Sequence, residues 1–134
     1  MNLSTHGIVA LVRDSKGNFL LLEDSRELMQ GYWAPPHGRC EPSDKTEEDG
    51  VIREVFEETG LKVTPIKKVF TQPADTKVKT VSFWLVELRG GELSLNEESS
   101  SAGWFSIKQV LSMKLYPGTK SFFDKVTSGE ISIA

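Results

Sequence analysis

The chain has 134 residues, 38% hydrophobic and 26% charged, the make-up of a globular protein with room for one domain, residues 1–134. Its net charge of −3, from 16 basic and 19 acidic residues, argues against nonspecific binding to a nucleic-acid polymer. One cysteine excludes an internal disulfide and a cysteine-rich zinc site, and no apolar run nears the roughly 20 residues of a membrane helix. Met1 to His6 lacks a basic start followed by an apolar segment, so the expectation is a cytoplasmic protein with no membrane partner.

The N-terminal part reads as strand, turn, strand. Ile8 to Val12 is β-branched and apolar, Asp14 to Asn18 supplies turn residues, and Phe19 to Leu22 returns. Neither run alternates strictly, so both faces of these strands are expected to be covered. After the polar stretch Glu23–Gln30, the segment Gly31 to Gly38 holds two prolines and two glycines, which exclude a helix and predict a rigid loop. A helix is predicted between Pro42 and Gly60. Asp44 with Glu47, or Thr46 with Asp49, would open it, and Gly60 would close it. Val51, Ile52, Val55, Phe56 and Thr59 form its apolar stripe, with Glu47, Glu54, Glu57 and Glu58 opposite.

Lys62 to Gln72 reads as a mixed strand, Pro73 to Asp75 as a turn, and Val78 to Leu88 as a strongly β-prone strand that Arg89-Gly90-Gly91 breaks. Beyond the polar residues Asn96 to Ser101, Trp104-Phe105 predicts a short strand. A short helix over Ile107–Met113 and a last one from Pro117 to about Val126 complete the chain. Strands on both sides of one long helix, with helices at the end, predict an α+β fold or an α/β/α layered domain.

Glu54, Glu57 and Glu58 stand at i, i+3 and i, i+4, so their carboxylates converge on one helical face. Their mutual repulsion is relieved by a hard divalent cation, for which carboxylate oxygens are the preferred ligands, although a plain solvated acidic face has the same spacing. Arg53 beside them can hold a carboxylate or a loop by a forked pair, and Gly38 and Gly50 allow close backbone approach. His6 and His37 lack a zinc-type arrangement, Cys40 reads as a structural thiol, and neither a serine elbow nor a P-loop is present.

The segment Gly38 to Lys45, followed by Arg53-Glu54-Val55-Phe56-Glu57-Glu58-Thr59-Gly60-Leu61, resembles the signature of the Nudix (MutT-like) hydrolases. That pattern is glycine, five residues, glutamate, seven residues, then Arg-Glu-apolar-x-Glu-Glu-x-Gly-apolar. The second half matches without exception. In the first half Gly38 lies fifteen positions before Arg53 instead of fourteen, so one residue is inserted. Counting from Gly38 puts Asp44 in the place of the first glutamate; counting from Arg53 puts Lys45 there. A lengthened loop with Asp44 as the partial substitute, also capping the helix, is the favoured alignment. His37 replaces the usual first glycine, and Ser43 the glycine common before the glutamate.

The resemblance implies the Nudix fold, an α/β/α sandwich around a mixed β-sheet, and hydrolysis of a nucleoside diphosphate joined to another group with Mg²⁺, or Mn²⁺, as cofactor. Glu54, Glu57 and Glu58 would be the metal carboxylates, Gly38 would lend backbone to the metal, and Arg53 would orient a glutamate. A further carboxylate would come from Glu98 or Glu97, and Glu57 or Glu98 would act as general base. Substrate contacts are expected among Tyr32, Trp33, His37, Arg39, Phe70 and Trp84. The partner is then a small nucleotide, of the ADP-ribose or nucleotide-sugar type, with a house-cleaning triphosphatase or a catalytically weakened nucleotide-binding domain as alternatives. A homodimer is plausible by the same likeness.

Overall fold

Ile8, Ala10 and Val12 turn to one side of their strand and Val9 and Leu11 to the other, and all five are buried. Two separate cores therefore flank one sheet, which is why the sequence lacks a polar face here. The computed structural model describes residues 6–74 and 78–133; Met1 to Thr5 and Asp75 of the expected turn lie outside the described residues. Its strands are β1 (His6–Arg13), β2 (Phe19–Asp24), β3 (Trp33–Ala34), β4 (His37–Arg39), β5 (Leu61–Pro73), β6 (Thr80–Gly91) and β7 (Ser99–Phe105). The helices are α1 (Glu47–Thr59), α2 (Ile107–Leu111) and α3 (Pro117–Thr127).

The sheet order is β3-β2-β1-β6-β5, with β4 paired to β1 and β7 to β2. Among the described strand pairs β1 and β6 run parallel and the others antiparallel, so the sheet is mixed. Pro65 and Pro73 sit on β5 at the end of that order, where a missing ladder donor costs least. One core holds Ile8, Val12, Leu20, Val51, Val55 and Val86 beneath α1. The other holds Leu11, Leu21, Val110, Phe83, Phe122 and Phe123 beneath α2 and α3, with Phe83 and Phe122 stacked 4.1 Å apart. Truncating Phe122 to alanine removes a fully buried ring, a loss of roughly 3–5 kcal/mol.

Several expectations change. The segment expected as a loop contains β3 and β4, because β2 pairs with β3 (Leu22 with Ala34) and β1 supplies partners to β4 and its flanks: Ala10 N–H donates to the Pro36 carbonyl (2.8 Å) and Cys40 N–H to the His6 carbonyl (2.9 Å). Strand β6 continues through Arg89-Gly90-Gly91, since β5 pairs with it to the end. Polar Ser99 to Ser101 open β7, where they pair with Glu23 and Asp24 of β2. Helix α2 stops at Leu111 after its Ser106–Gln109 capping box. Among the described residues no helix is long and apolar enough to cross a membrane.

Candidate active site

Helix α1 starts from Thr46, whose side chain accepts the Asp49 N–H at 3.2 Å, so Asp44 is not the cap. Gly60 ends it in the left-handed region (φ 74°), donating its N–H to the Phe56 carbonyl at 2.8 Å. The buried stripe is also rotated from the one the apolar residues draw. Gly50, Val51, Val55, Glu58 and Thr59 are buried, whereas Ile52 and Phe56 are 42% and 53% exposed. The helix turns two glutamates, Glu54 and Glu58, toward the β4 backbone and leaves two apolar side chains to solvent.

That orientation sets an acidic pair against the His37-Gly38 backbone. A Cβ built at position 38 would fall on the Glu54 carboxylate, so only glycine leaves this space. The Glu58 carboxylate accepts the His37 N–H at 3.3 Å. Burial, then the charges of Glu54 and Glu98, push the Glu58 carboxyl up to about 9. Burial likewise raises that of Glu54. Two inward carboxylates thus resist full ionisation until a positive charge joins them.

Arg53 organises the other side. Its Nε and Nη2 donate to Asp44 at 3.0 and 2.9 Å, and Nη2 also to the Arg39 carbonyl at 3.1 Å. Nη1 reaches Glu54 and Glu57, both at 3.0 Å, and Glu41 at 3.2 Å. Asp44 is buried and accepts the Glu41 N–H at 2.8 Å as well, and its bonds with Arg53 hold its carboxyl low. Asp44, and not Lys45, therefore meets the arginine. The space beside Gly50 is taken by this loop, since a Cβ there would lie 3.2 Å from the Asp44 carboxylate and 3.3 Å from Cys40 Sγ. Burial raises the Cys40 thiol to about 11, which suits a structural role.

The loop after β6 is tied to the end of α1. Asn96 Nδ2 donates to the Glu57 carbonyl at 3.3 Å and Ser94 N–H to the Thr59 carbonyl at 2.8 Å. This sets Glu98 near enough to raise the Glu58 carboxyl. Glu97 contributes its carbonyl to Ser25 Oγ, at 2.6 Å.

The remaining sequence candidates divide. Tyr32 stacks on Tyr116 (5.3 Å), exposed His37 lies edge-on to Tyr116 (6.0 Å), and Arg39 is exposed beside its own Arg53-bound carbonyl. Trp33 packs against Phe105, and Phe70 against Phe122 in the core under α3. Trp84 is 8% exposed in the core under α1 and donates its indole N–H to Glu47 at 3.1 Å. Trp84 is thus packed in one core, and half-buried Phe70 packs against the other. Glu47, expected on the solvated acidic side, is instead gripped by Trp84, Lys68 (2.7 Å) and His6 (3.0 Å). Burial opposes its charge, but these three bonds together hold its carboxyl down to about 2. Sequence reasoning missed Asp24, Arg26, Lys114 and Tyr116, which the fold gathers around Tyr32; only the Tyr116-Pro117 helix start marked any of them.

The donors facing Gly38 are all oxygens, which fits a hard divalent cation, and the missing side chain at Gly38 lets the Glu54 carboxylate lie against the β4 backbone. Among the described residues no three acidic groups yet form a closed cage, because Glu57, 46% exposed, rests on Arg53.

The comparisons with known proteins agree on the family and the fold. The chain is 34% identical over 101 residues to the NAD-capped RNA hydrolase NudC of Chromobacterium violaceum, covering 75% of this chain and 37% of that protein. It is 29% identical over 114 residues to the ADP-ribose pyrophosphatase of Methanocaldococcus jannaschii, covering 81% and 67%. The chain spans well under half the length of the first curated relatives it matches. The crystal structure of the MutT protein from Methanosarcina mazei Go1 is similar at a TM-score of 0.76 and 27% identity, covering 94% of each chain. The NUDIX domain model matches residues 4–126, across the acidic helix, its loop and both cores, and on that match the chain belongs to the NUDIX domain family.

Proposed function

We propose that the protein is a metal-dependent pyrophosphohydrolase that cleaves a nucleoside diphosphate linked to another group, of the ADP-ribose or nucleotide-sugar type. The observation that carries this reading is the pair of inward carboxylates, Glu54 and Glu58, set against the Gly38 backbone. The likeness to the ADP-ribose pyrophosphatase of M. jannaschii supports the substrate type. Glu54, Glu58 and Glu57 would hold Mg²⁺ or Mn²⁺, with backbone at Gly38 alongside. When bound, the ion supplies neutralisation of the diphosphate oxygens and a lower pKa for the attacking water.

The chain's own residues supply position and proton transfer. Arg53 fixes Glu54 and Glu57 relative to the loop through Asp44. Water adds in line to one phosphorus as the bridging P–O bond breaks, releasing a nucleoside monophosphate and a second phosphate-bearing product. Glu98 or Glu57 takes the proton, both being exposed carboxylates at the rim.

A house-cleaning triphosphatase acting on ordinary or damaged nucleotides is the second reading, supported by 29% identity over 111 residues to a Danio rerio protein named as an 8-oxo-dGDP phosphatase. The inserted loop residue, which would favour a weakened binding domain, leaves Arg53 fully engaged through Asp44. We place the protein in the cytoplasm, where such nucleotides occur, and a homodimer would be read from its mass in solution.

The test is phosphate-product release with Mg²⁺ across ADP-ribose, other nucleotide sugars, dinucleoside polyphosphates and canonical and oxidised triphosphates, for wild type and E57Q. Strong turnover of one compound, abolished by E57Q, establishes the enzyme and its substrate class. Silence across the panel with both Mg²⁺ and Mn²⁺ removes the active-site assignment.

A further inference from the structure

Asp24, at the end of β2, is a buried carboxylate far from the acidic helix in sequence. Arg26 grips it with Nε at 3.0 and 3.1 Å and Nη2 at 2.6 Å, and Tyr116 donates its hydroxyl to the same group. The Asp24 side chain is 7% exposed, whereas that of Arg26 is 58% exposed. The guanidinium is therefore held in place along one edge and open along the other, the pre-organised form in which arginine binds an anion at low entropic cost.

A second cation meets the same aromatic pair. Lys114 Nζ lies 4.4 Å from the Tyr32 ring centroid, and Tyr32 stacks on Tyr116 at 5.3 Å and 26°. Lys114 is exposed and forms no ion pair among the described residues. Two cations thus gather around two tyrosines, while the nearby carboxylates are already engaged, Asp24 by Arg26 and Tyr116 and Glu23, on the adjoining cleft, by the Ser100 and Ser101 hydroxyls. Pinning the loop accounts for Asp24; it does not account for Lys114 or the open guanidinium edge. An anion carrying a flat ring accounts for both.

The cluster adjoins the acidic site. Tyr116 meets the His37 ring at 6.0 Å, and His37 N–H holds Glu58. A cleft of about 270 Å³ beside Asp24, Ser25 and Gly31 opens next to it, and Ser25 N–H donates to the Glu98 carbonyl at 3.0 Å.

We infer that Arg26, Lys114, Tyr32 and Tyr116 form the recognition wall for the nucleoside monophosphate unit of the substrate, its base against the tyrosines and its phosphate on the two cations. The inference rests on the nucleotide-hydrolase reading for its biological sense, but its test does not need turnover. Binding of AMP, GMP, CMP and UMP, and of the matching nucleosides, is measured by NMR titration in EDTA. The proteins compared are wild type, the double variant R26Q/K114M, Y116F and Y116A.

At least one monophosphate is expected to bind and to shift the tyrosine ring signals. R26Q/K114M should weaken it by about tenfold or more while leaving the nucleoside unchanged, a split that a merely structural role would not produce. Y116A should weaken both nucleotide and nucleoside; Y116F, which keeps the ring, should weaken them less. If Y116A does not fold, or R26Q disturbs the buried Asp24, the single variant K114M, at an exposed side chain outside the Asp24 pair, decides the matter by the same split between nucleotide and nucleoside. No binding at millimolar monophosphate, or unchanged affinity in R26Q/K114M, overturns the inference. Monophosphate binding by a protein that hydrolyses nothing sustains the wall and removes the hydrolase. Turnover with a wild-type KM in R26Q/K114M does the reverse.

Discussion

Arg53 and Asp44 meet end to end, guanidinium Nε and Nη2 on the two carboxylate oxygens at 3.0 and 2.9 Å, with only 4% of the Asp44 side chain exposed. The same guanidinium reaches Glu54 and Glu57 through Nη1, so the position of two site glutamates depends on a loop residue nine places earlier. D44N keeps the shape but removes the charge; D44A removes both. Because Arg53 is 20% exposed, solvent softens the loss, and D44A should cost about 2 kcal/mol of stability. Turnover should fall roughly 10–100-fold, as for loss of a support behind a metal ligand. Thermal melts and kcat for D44N and D44A measure the two effects, and a D44A protein with wild-type kcat would sink the positioning role.

Gly38 separates stability from activity more cleanly. An alanine Cβ would displace the Glu54 carboxylate, the far end of a flexible side chain, instead of colliding with backbone. G38A should therefore shift the melting temperature little, by the equivalent of under about 1 kcal/mol. Its turnover should still fall by at least roughly tenfold, because a carboxylate moved by an ångström no longer fits its task. A G38A enzyme as active as wild type would show that Glu54 works from elsewhere.

Much of this was legible in the chain because local chemistry and tertiary need agree. The β-branched run at Ile8 to Val12 makes a strand, and its missing alternation marks a strand between two cores. Helix α1 has its predicted end at Gly60. The helical face was harder to read. Apolarity places Ile52 and Phe56 inward, but the β4 backbone, whose N–H at His37 needs an acceptor, draws Glu58 inward instead. Tyr116 and Asp24 are 92 residues apart, and no local pattern announces that they pair. Polar Ser99 to Ser101 gain their strand from β2, not from their own propensity.

Stability of the metal-free protein should fall as pH rises. Burial and the charges of Glu54 and Glu98 lift the Glu58 carboxyl from 4.5 in the free side chain to about 9 in the folded protein. The folded chain then keeps a proton that the unfolded chain has released, so folding is favoured less at each step from about pH 5 to about 9. Glu54 is shifted in the same direction. Melting temperatures in EDTA should decline across that window, and Mg²⁺ or Mn²⁺ should restore them by replacing the proton. E58Q, neutral throughout, should flatten the decline while lowering metal-dependent turnover by about 100-fold or more. A pH-independent melt for wild type in EDTA would refute the account of a proton retained on Glu58.

Glu98 and Glu97 are neighbours with opposite expectations. Asn96 closes the loop, accepting the Glu98 N–H at 3.0 Å and donating to the Glu57 carbonyl at 3.3 Å, which faces the Glu98 charge toward Glu58. Glu97 serves the loop through its carbonyl on Ser25 Oγ, a bond its side chain does not enter. E98Q should therefore lower kcat by roughly 10²–10⁴-fold if this carboxylate takes the proton from water. E97Q should change it by less than about twofold, being an exposed substitution away from any site group. The pH–rate profile adds a second readout, since loss of the base removes the acid limb in E98Q and leaves it in E97Q. If E98Q keeps both rate and limb, the role of base passes to Glu57, whose E57Q variant is the one expected to lose turnover.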